Sequence, residues 1–148
     1  MRLTNARLGA LIEQLEGFAP DAVLFIERGG RPLGEALAQR YHVPAIGIDV
    51  AYPLSRLSHR TIRWMAFPVK ELAYRLTSPR LISETDDLSH IDTAANLLIV
   101  DDSASSGKTL GVVRKELASM GHLGQNRVAV GRLGRRAVPW VDAALSRP

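Results

Sequence analysis

The sequence predicts an α/β fold with an open, mainly parallel sheet flanked by helices. Three short apolar segments, at residues 22–26, 45–50 and 96–100, have the continuous hydrophobic character of strands that are covered on both faces. Two of them run into a loop and then into an amphipathic helix. This strand–loop–helix order is the one that places successive strands parallel to each other.

The first half of the chain is predicted to form a helix followed by one βαβ unit. Apolar residues recur at helical spacing after a cap at Thr4 or Asn5 and before Gly17 and Pro20; they are Leu8, Leu11, Ile12, Leu15 and Phe18. The strand at 22–26 leads through the loop 27–30 into a helix that Pro32 starts and that ends near 42–44. The strand at 45–50 completes the unit.

The second half repeats the strand–loop–helix pattern after a long excursion. Residues 52–95, with a strand near 62–67 and a short helix near 69–76, are predicted to form a hood or flap inserted into a single domain that spans 1–148. The strand at 96–100 leads through the loop 101–109 into a helix closed by Gly121. A further strand at 127–130 precedes an arginine-rich tail.

Length and composition limit the classes of protein. With 148 residues, 46% apolar and 23% charged, the chain supports one domain with a hydrophobic core. The absence of cysteine excludes disulfides, thiolate zinc sites, iron–sulfur clusters and cysteine nucleophiles. The N-terminal segment lacks the pattern of a secretory signal, and the apolar runs are too short to span a bilayer. We therefore expect a cytoplasmic protein without a membrane partner.

Charge is unevenly distributed along the chain. Segment 51–80 carries six basic residues and one acid, segment 84–102 carries six acids and no lysine or arginine, and segment 108–148 carries eight basic residues and two acids. A basic excess of this kind suits a polyanion, either a phosphorylated small molecule or RNA. A solvated basic surface without a ligand is the alternative.

The loops at 27–31 and 101–109 are the candidate binding segments, because ligands of open parallel sheets bind at the carboxyl ends of the strands. The second loop offers hydroxyls, a lysine and backbone N–H groups at the start of a helix, whose dipole favours an anion. Two familiar phosphate motifs do not fit it. A Walker A loop would need glycine where Asp102 stands, and Gly29, Gly30 and Gly34 are wrongly spaced for a dinucleotide fingerprint.

The second loop resembles the phosphoribosyl-pyrophosphate (PRPP) motif of the type I phosphoribosyltransferases. The matching residues are the apolar run 97–100, the acids Asp101 and Asp102, two small residues, and Ser105-Ser106-Gly107 followed by Thr109. The resemblance implies that Asp101 and Asp102 bind the ribose hydroxyls. It also implies a binding loop for the 5′-phosphate, made of Ser103, Ala104, Ser105, Ser106, Gly107, Lys108 and Thr109.

The first loop is similar to the pyrophosphate loop of the same family. It reads Ile26-Glu27-Arg28-Gly29-Gly30, and the resemblance assigns pyrophosphate binding to Arg28, Gly29 and Gly30. Glycines allow close approach of the backbone to a ligand, and arginine supplies a fixed positive charge. By resemblance alone, a non-proline cis peptide is expected at Glu27–Arg28.

The resemblance is closest to the short purine-salvage members of the family, such as xanthine-guanine phosphoribosyltransferase. It implies transfer of ribose 5-phosphate from PRPP to a nitrogenous base, with release of pyrophosphate and with Mg²⁺ between the pyrophosphate and the ribose hydroxyls. Asp101 and Asp102 would stabilise positive charge on the ribose ring. Mg²⁺ would be carried by PRPP rather than by a direct protein site, and a homodimer is expected.

One position departs from the purine enzymes of the family. Ser105 stands where those enzymes have an aspartate that takes a proton from the base, and a serine cannot do this without an activating partner. Arg132 and Trp140 are the candidate base-binding residues, although plain packing accounts for Trp140 equally well.

Two other functions compete with this interpretation. A non-catalytic regulator that senses PRPP or a nucleotide, or that binds RNA, is favoured by the high isoelectric point and by Ser105. A nucleotide kinase that uses the Ser-Gly-Lys-Thr sequence is disfavoured by Asp102.

Overall fold

The computed structural model describes residues 3–27, 29–51, 80–81, 88, 91–134 and 138–146. Three helices lie in these residues, α1 (Asn5–Gln14), α2 (Arg31–Tyr41) and α3 (Lys108–Ser119). The strands are β1 (Ala22–Ile26), β2 (Ala45–Ile48), β3 (Val50–Ala51), β4 (Arg80–Leu81), β5 (Leu97–Ala104), β6 (Asn126–Leu133) and β7 (Ala143–Ala144). None of the helices in the described part is long and apolar enough to cross a membrane.

The main sheet has five strands in the order β2-β1-β5-β6-β7, and every pairing in it is parallel. This confirms the predicted α/β class and its parallel sheet. The order follows from the two strand–loop–helix units. One unit passes from β1 through α2 to β2 on one side, and the other passes from β5 through α3 to β6 on the opposite side.

Two apolar clusters cover the two faces of the sheet. Alternate residues of β1 divide between them: Leu24 and Ile26 pack with α3, whereas Val23 and Phe25 pack with α1 and α2. All five residues of β1 are buried. The continuous apolar runs of the sequence are explained by this double coverage, since a strand with helices on both faces has no solvent side.

The first helix begins where the sequence predicts. The Thr4 hydroxyl accepts a hydrogen bond from the backbone N–H of Arg7 at 3.4 Å and caps α1. At its other end, the Gln14 side chain donates to the Ala144 carbonyl and accepts from the Ala144 N–H, each at 3.2 Å. These two bonds fasten α1 along β7.

The predicted boundaries are wrong at the carboxyl ends of two strands. β5 continues to Ala104, so Asp101, Asp102 and Ser103 lie on a strand and not in a loop. β6 continues to Leu133, so Arg132 lies within it and not beyond it. The cause is mutual pairing, because residues 101–104 of β5 match residues 130–133 of β6 in register. Polar residues at a strand end gave no signal of this pairing.

The tail and the insert also differ in part from expectation. Residues 143–144 form an edge strand in a segment for which only an arginine-rich tail was predicted. The segment predicted as one strand at 45–50 ends its pairing with β1 at Ile48, and Val50–Ala51 pairs instead with Arg80–Leu81 in an antiparallel two-stranded sheet. The strand near 62–67 and the helix near 69–76 lie outside the described residues.

Candidate active site

The candidate site lies between β1 and β5, where the strand order reverses: β2 lies on one side of this pair and β6 on the other. The chain leaves β1 toward β2 and leaves β5 toward β6, so the loops that follow β1 and β5 diverge and leave a crevice between the carboxyl ends of these two strands. Such a crevice is the usual ligand position in open α/β sheets. The two loops singled out in the sequence are the two that border it.

The loop after β1 is in direct contact with the carboxyl end of β5. A β-carbon built on Gly29 would lie 2.5 Å from Cγ of Asp102, and one built on Gly30 would lie 2.7 Å from the carbonyl oxygen of Ile26 and 3.0 Å from that of Val100. Any side chain at position 29 would therefore displace the Asp102 carboxylate. The two glycines bring the first loop against the end of β5.

Asp101 and Asp102 occupy different environments. Asp101 is 7% exposed, and its Oδ1 accepts the backbone N–H of Asp102 at 2.8 Å. Burial raises the pKa of Asp101 from its usual 3.8 to about 7, and the neighbouring Asp102 charge also raises it, while the N–H bond acts in the opposite direction. Asp102 is exposed, and its Oδ1 accepts a hydrogen bond from the Ser103 hydroxyl at 3.1 Å. Asp102 is thus the acid of the pair that faces the crevice.

The loop after β5 is short and leads directly into α3. Ser105, Ser106 and Gly107 connect the strand to Lys108, the first residue of the helix. Gly107 is the N-cap residue and makes no side-chain bond to the helix amides. A helix start without a side-chain cap presents N–H groups toward an anion, which is the chemistry that a phosphate needs.

Two contacts hold this loop in place. Gly107 has a φ of +71°, and a β-carbon on it would lie 2.6 Å from Cζ2 of Trp140. The Arg114 guanidinium lies 5.3 Å from the centre of the Trp140 ring. On the other side, the Gly134 N–H donates to the Ala104 carbonyl at 2.8 Å. The structure places Trp140 against the start of α3.

A cleft of about 590 Å³ opens from this crevice on the face of the sheet that carries α1 and α2. One part of its wall is formed by Gly29, Asp102 and Ser103. Leu33 and Leu145 are among its apolar wall residues. The cleft therefore extends from the exposed Asp102 across the carboxyl ends of the strands.

The other part of the cleft wall is basic and hydroxylated. Arg7 comes from the first turn of α1, Arg132 from β6, and Ser146 from the residues just after β7. Arg132 is exposed and points into the same cleft as Asp102. The sequence predicts Arg132 as a site residue but not Arg7 or Ser146. No spacing pattern marks these two residues, because only the packing of α1 on β7 brings them to the cleft.

The predicted site residues are therefore brought together in part. Gly29 and Gly30 meet Asp101 and Asp102 at the end of β5, and Ser103 and Arg132 line the adjoining cleft. Residues 105–109 follow β5 as the short connection and the start of α3. Trp140 is not among the residues that line the cleft. Arg28 and the Glu27–Arg28 peptide bond lie outside the described residues.

The donor set of the site suits a divalent ion that arrives with its ligand. Among the described residues, no group of three or more metal-ligating side chains is close enough to hold an ion. Asp102 and Ser103 nevertheless offer exposed oxygen ligands at the crevice. Mg²⁺ usually takes one or two carboxylates and completes its shell with phosphate oxygens and water, so these residues fit an ion that is carried by a polyphosphate.

Solved structures of purine phosphoribosyltransferases share this fold. A purine phosphoribosyltransferase from Pyrococcus horikoshii is 22% identical, with a TM-score of 0.70 over 99% of this chain and 85% of that one. A xanthine-guanine-hypoxanthine phosphoribosyltransferase from Helicobacter pylori is 17% identical, with a TM-score of 0.64 over 97% and 78%. A hypothetical protein from Neisseria gonorrhoeae with bound ppGpp is 18% identical, with a TM-score of 0.68 over 97% and 77%.

No family model and no curated protein matches the chain by sequence. The structural likeness confirms the resemblance seen in the sequence at the level of the fold: the chain has the fold of the type I phosphoribosyltransferases, with purine-salvage enzymes among its structural neighbours.

Proposed function

We propose that the protein is a phosphoribosyltransferase that transfers ribose 5-phosphate from PRPP to a nitrogenous base, a purine or a related heterocycle, and releases pyrophosphate. The observation that carries this proposal is the contact between the loop after β1 and the carboxyl end of β5. Gly29 lies against the Asp102 carboxylate. From Asp102 the chain continues to α3, whose N-cap residue, Gly107, makes no side-chain cap bond. A phosphate-binding helix start, a carboxylate and a glycine-rich loop together match the three parts of PRPP.

The parts of the site have different tasks in this reaction. The N–H groups at the start of α3 and the hydroxyls of Ser105 and Ser106 bind the 5′-phosphate. Asp102 binds a ribose hydroxyl and stabilises the positive charge that develops on the ring as the bond from C1 to pyrophosphate breaks. Gly29 and Gly30 let the pyrophosphate approach the backbone closely. A ring nitrogen of the base then bonds to C1.

Mg²⁺ is proposed as the accompanying ion. It would neutralise negative charge on the departing pyrophosphate, with Asp102 and Ser103 as the protein oxygens within its reach. Asp101 contributes differently. Because it is buried and accepts the Asp102 N–H, it fixes the backbone of β5 and so orients the Asp102 side chain toward the crevice.

The proposal is tested by calorimetric titration with PRPP, with and without Mg²⁺, followed by a pyrophosphate-release screen over purines and pyrimidines. We expect saturable binding that strengthens with Mg²⁺, and pyrophosphate release with at least one base. Absence of PRPP binding in both conditions would refute the proposal.

A nucleotide-sensing regulator on the same fold is the second candidate. The Neisseria gonorrhoeae neighbour was solved with ppGpp, so a protein of this fold can hold a nucleotide that carries two diphosphates. Ser105, which cannot serve as a base toward a purine, also favours a function without catalysis.

The two candidates predict different results in one experiment. A regulator binds ppGpp or PRPP but releases no pyrophosphate with any base, whereas a transferase releases it stoichiometrically with nucleotide formation. Competition of ppGpp with PRPP in calorimetry, combined with measured turnover, would identify an enzyme whose site also accepts a nucleotide.

A further inference from the structure

The cleft beside the crevice has two cationic side chains on its wall. Arg7 and Arg132 both line it, and Asp102 is the single acidic residue among the described residues that do so. The remaining polar side chains on its wall are the hydroxyls of Ser103 and Ser146. Two guanidinium groups beside an apolar wall form an environment for a molecule with a negative charge.

The position of Arg7 follows from the way α1 is fastened to β7. Gln14 and Arg7 are seven residues apart, so they lie two helical turns apart on the same face of α1. The Gln14 side chain holds both backbone groups of Ala144 on β7. Since Arg7 lies about 10 Å further toward the N-terminus of α1, it reaches the carboxyl end of β7, where the cleft opens.

Arg132 reaches the same place from the neighbouring strand. It belongs to the last residues of β6, and the next residue, Leu133, donates its N–H to the Ser146 carbonyl at 2.9 Å. The Ser146 hydroxyl donates to the Gly131 carbonyl at 3.4 Å. Arg132 and Ser146 are therefore fixed side by side at the end of the sheet. The N-terminus of α1, which is the positive end of the helix dipole, adds to the positive electrostatic potential around Arg132.

The loop of the proposed 5′-phosphate site lacks a base that could take a proton from the acceptor. Ser105 and Ser106 are hydroxyl residues, and Asp102 is committed to the ribose side of the crevice in the proposed function. An acceptor that is already ionised in solution does not need such a base. The missing base and the two arginines thus point to the same property of the acceptor.

We propose, on the basis of the proposed function, that the acceptor is an acidic heterocycle that binds as an anion, with its negative charge held by Arg132 and Arg7. A ring N–H of the heterocycle loses its proton to water before binding. The nitrogen lone pair of the anion then forms the bond to C1, the bond from C1 to pyrophosphate breaks, and the electron pair leaves with pyrophosphate. No side chain gains or loses a proton in this step.

The test compares matched pairs of acceptors in pyrophosphate release with saturating Mg²⁺ and PRPP. One pair is uracil and its 5-fluoro derivative, whose ring N–H is more acidic; the other is hypoxanthine and its more acidic 2-oxo derivative, xanthine. We expect the acidic member of at least one pair to be used with a kcat/KM about tenfold higher or more, the size of a charge-assisted contact. As pH is lowered, the kcat/KM for xanthine should fall as the ring becomes protonated.

Substitutions of the two arginines test whether the cleft causes the preference for the acidic acceptor. Arg132→Gln and Arg7→Gln should each reduce the acid-over-neutral ratio about tenfold, and Arg132→Lys should restore part of it because the charge returns. Arg40→Gln is the matched control. Arg40 is exposed in the last turn of α2, at the opposite end of the sheet, and its loss should leave the ratio unchanged.

The inference is overturned if the neutral member of each pair is preferred, if Arg132→Gln lowers kcat/KM equally for both members, or if no acidic acceptor is used by a protein that binds PRPP. In these cases PRPP binding and turnover of a neutral base leave the proposed function intact. If calorimetry shows no PRPP binding, both the proposed function and this inference fail.

Discussion

At the scale of single residues, the adjacent acids Asp101 and Asp102 show how a strand separates two identical side chains. Successive side chains of a strand point to opposite faces. Both residues lie on β5, so one enters the interior and the other faces the crevice. Two neighbouring carboxylates in one sequence motif therefore have different chemistry.

Replacement of Asp102 should affect turnover and not folding. Asp102→Asn removes the charge that faces the ribose in the proposed mechanism, and we expect kcat to fall about 100-fold or more, as for loss of one preorganised electrostatic contact. The side chain is exposed, so the melting temperature should change little. Glu13→Gln, at an exposed position near the end of α1, is the control for loss of one negative charge. Unchanged kcat in Asp102→Asn would remove this residue from the mechanism.

Asp101 should make the metal-free protein less stable as pH rises. Its pKa in the folded state is raised to about 7, so between about pH 4 and pH 7 the folded protein holds a proton that the unfolded chain has lost. The free energy of unfolding therefore falls across this window, by up to a few kcal/mol.

Urea unfolding at a series of pH values measures this effect. Asp101→Asn keeps an oxygen that can accept the Asp102 N–H but cannot ionise, so its stability should vary less with pH and should exceed that of the wild type above pH 7. Equal pH dependence in the two proteins would show that Asp101 is ionised over the whole range.

At the scale of secondary-structure elements, the connection between β5 and α3 carries the proposed phosphate site. Two contacts hold this connection. The Trp140 ring packs against Gly107, and the Gly134 N–H donates to the Ala104 carbonyl. The left-handed conformation of Gly107 turns the chain from strand to helix within three residues. The same contacts therefore hold both the loop and the start of the helix.

Gly107→Ala should damage this connection by two separate effects. A positive φ costs an alanine about 1 kcal/mol, and the β-carbon would also collide with Trp140, for about 1–3 kcal/mol more. Gly17→Ala isolates the first effect, since Gly17 has a φ of +77° and no atom within 4 Å of its added β-carbon. We expect urea unfolding to show a larger loss for Gly107→Ala, accompanied by weaker PRPP binding. Equal losses in the two variants would mean that Trp140 moves aside without cost.

At the scale of the whole molecule, the strand order determines which residues come together at the site. The chain leaves β1 toward β2 and β5 toward β6, in opposite directions, and this creates the crevice between β1 and β5. The attachment of α1 to β7 brings Arg7, near the start of the chain, to a cleft that Ser146, near its end, also lines. The formal charge of +4 and the isoelectric point near 10 act at the same scale, because they favour polyanions over the whole surface.

RNA binding tests whether this charge has a function of its own. For a transferase with a basic surface, affinity for a single-stranded RNA should fall steeply with salt, as expected for counterion release, and should be unchanged by saturating PRPP with Mg²⁺. Fluorescence anisotropy at several salt concentrations measures both. Displacement of RNA by PRPP would instead support an RNA-binding regulator whose ligand shares the crevice.

The sequence by itself determined the α/β class, the strand β1, the helices α1 and α2 and the loop between β1 and α2. These features are local: a strand covered on both faces is apolar throughout, and helices have a period and caps. The extension of β5 and β6, the edge strand β7 and the convergence of Arg7, Arg132 and Ser146 were decided only by tertiary structure. They depend on pairing and packing between residues far apart in the chain, and such contacts leave no pattern in the segments that make them.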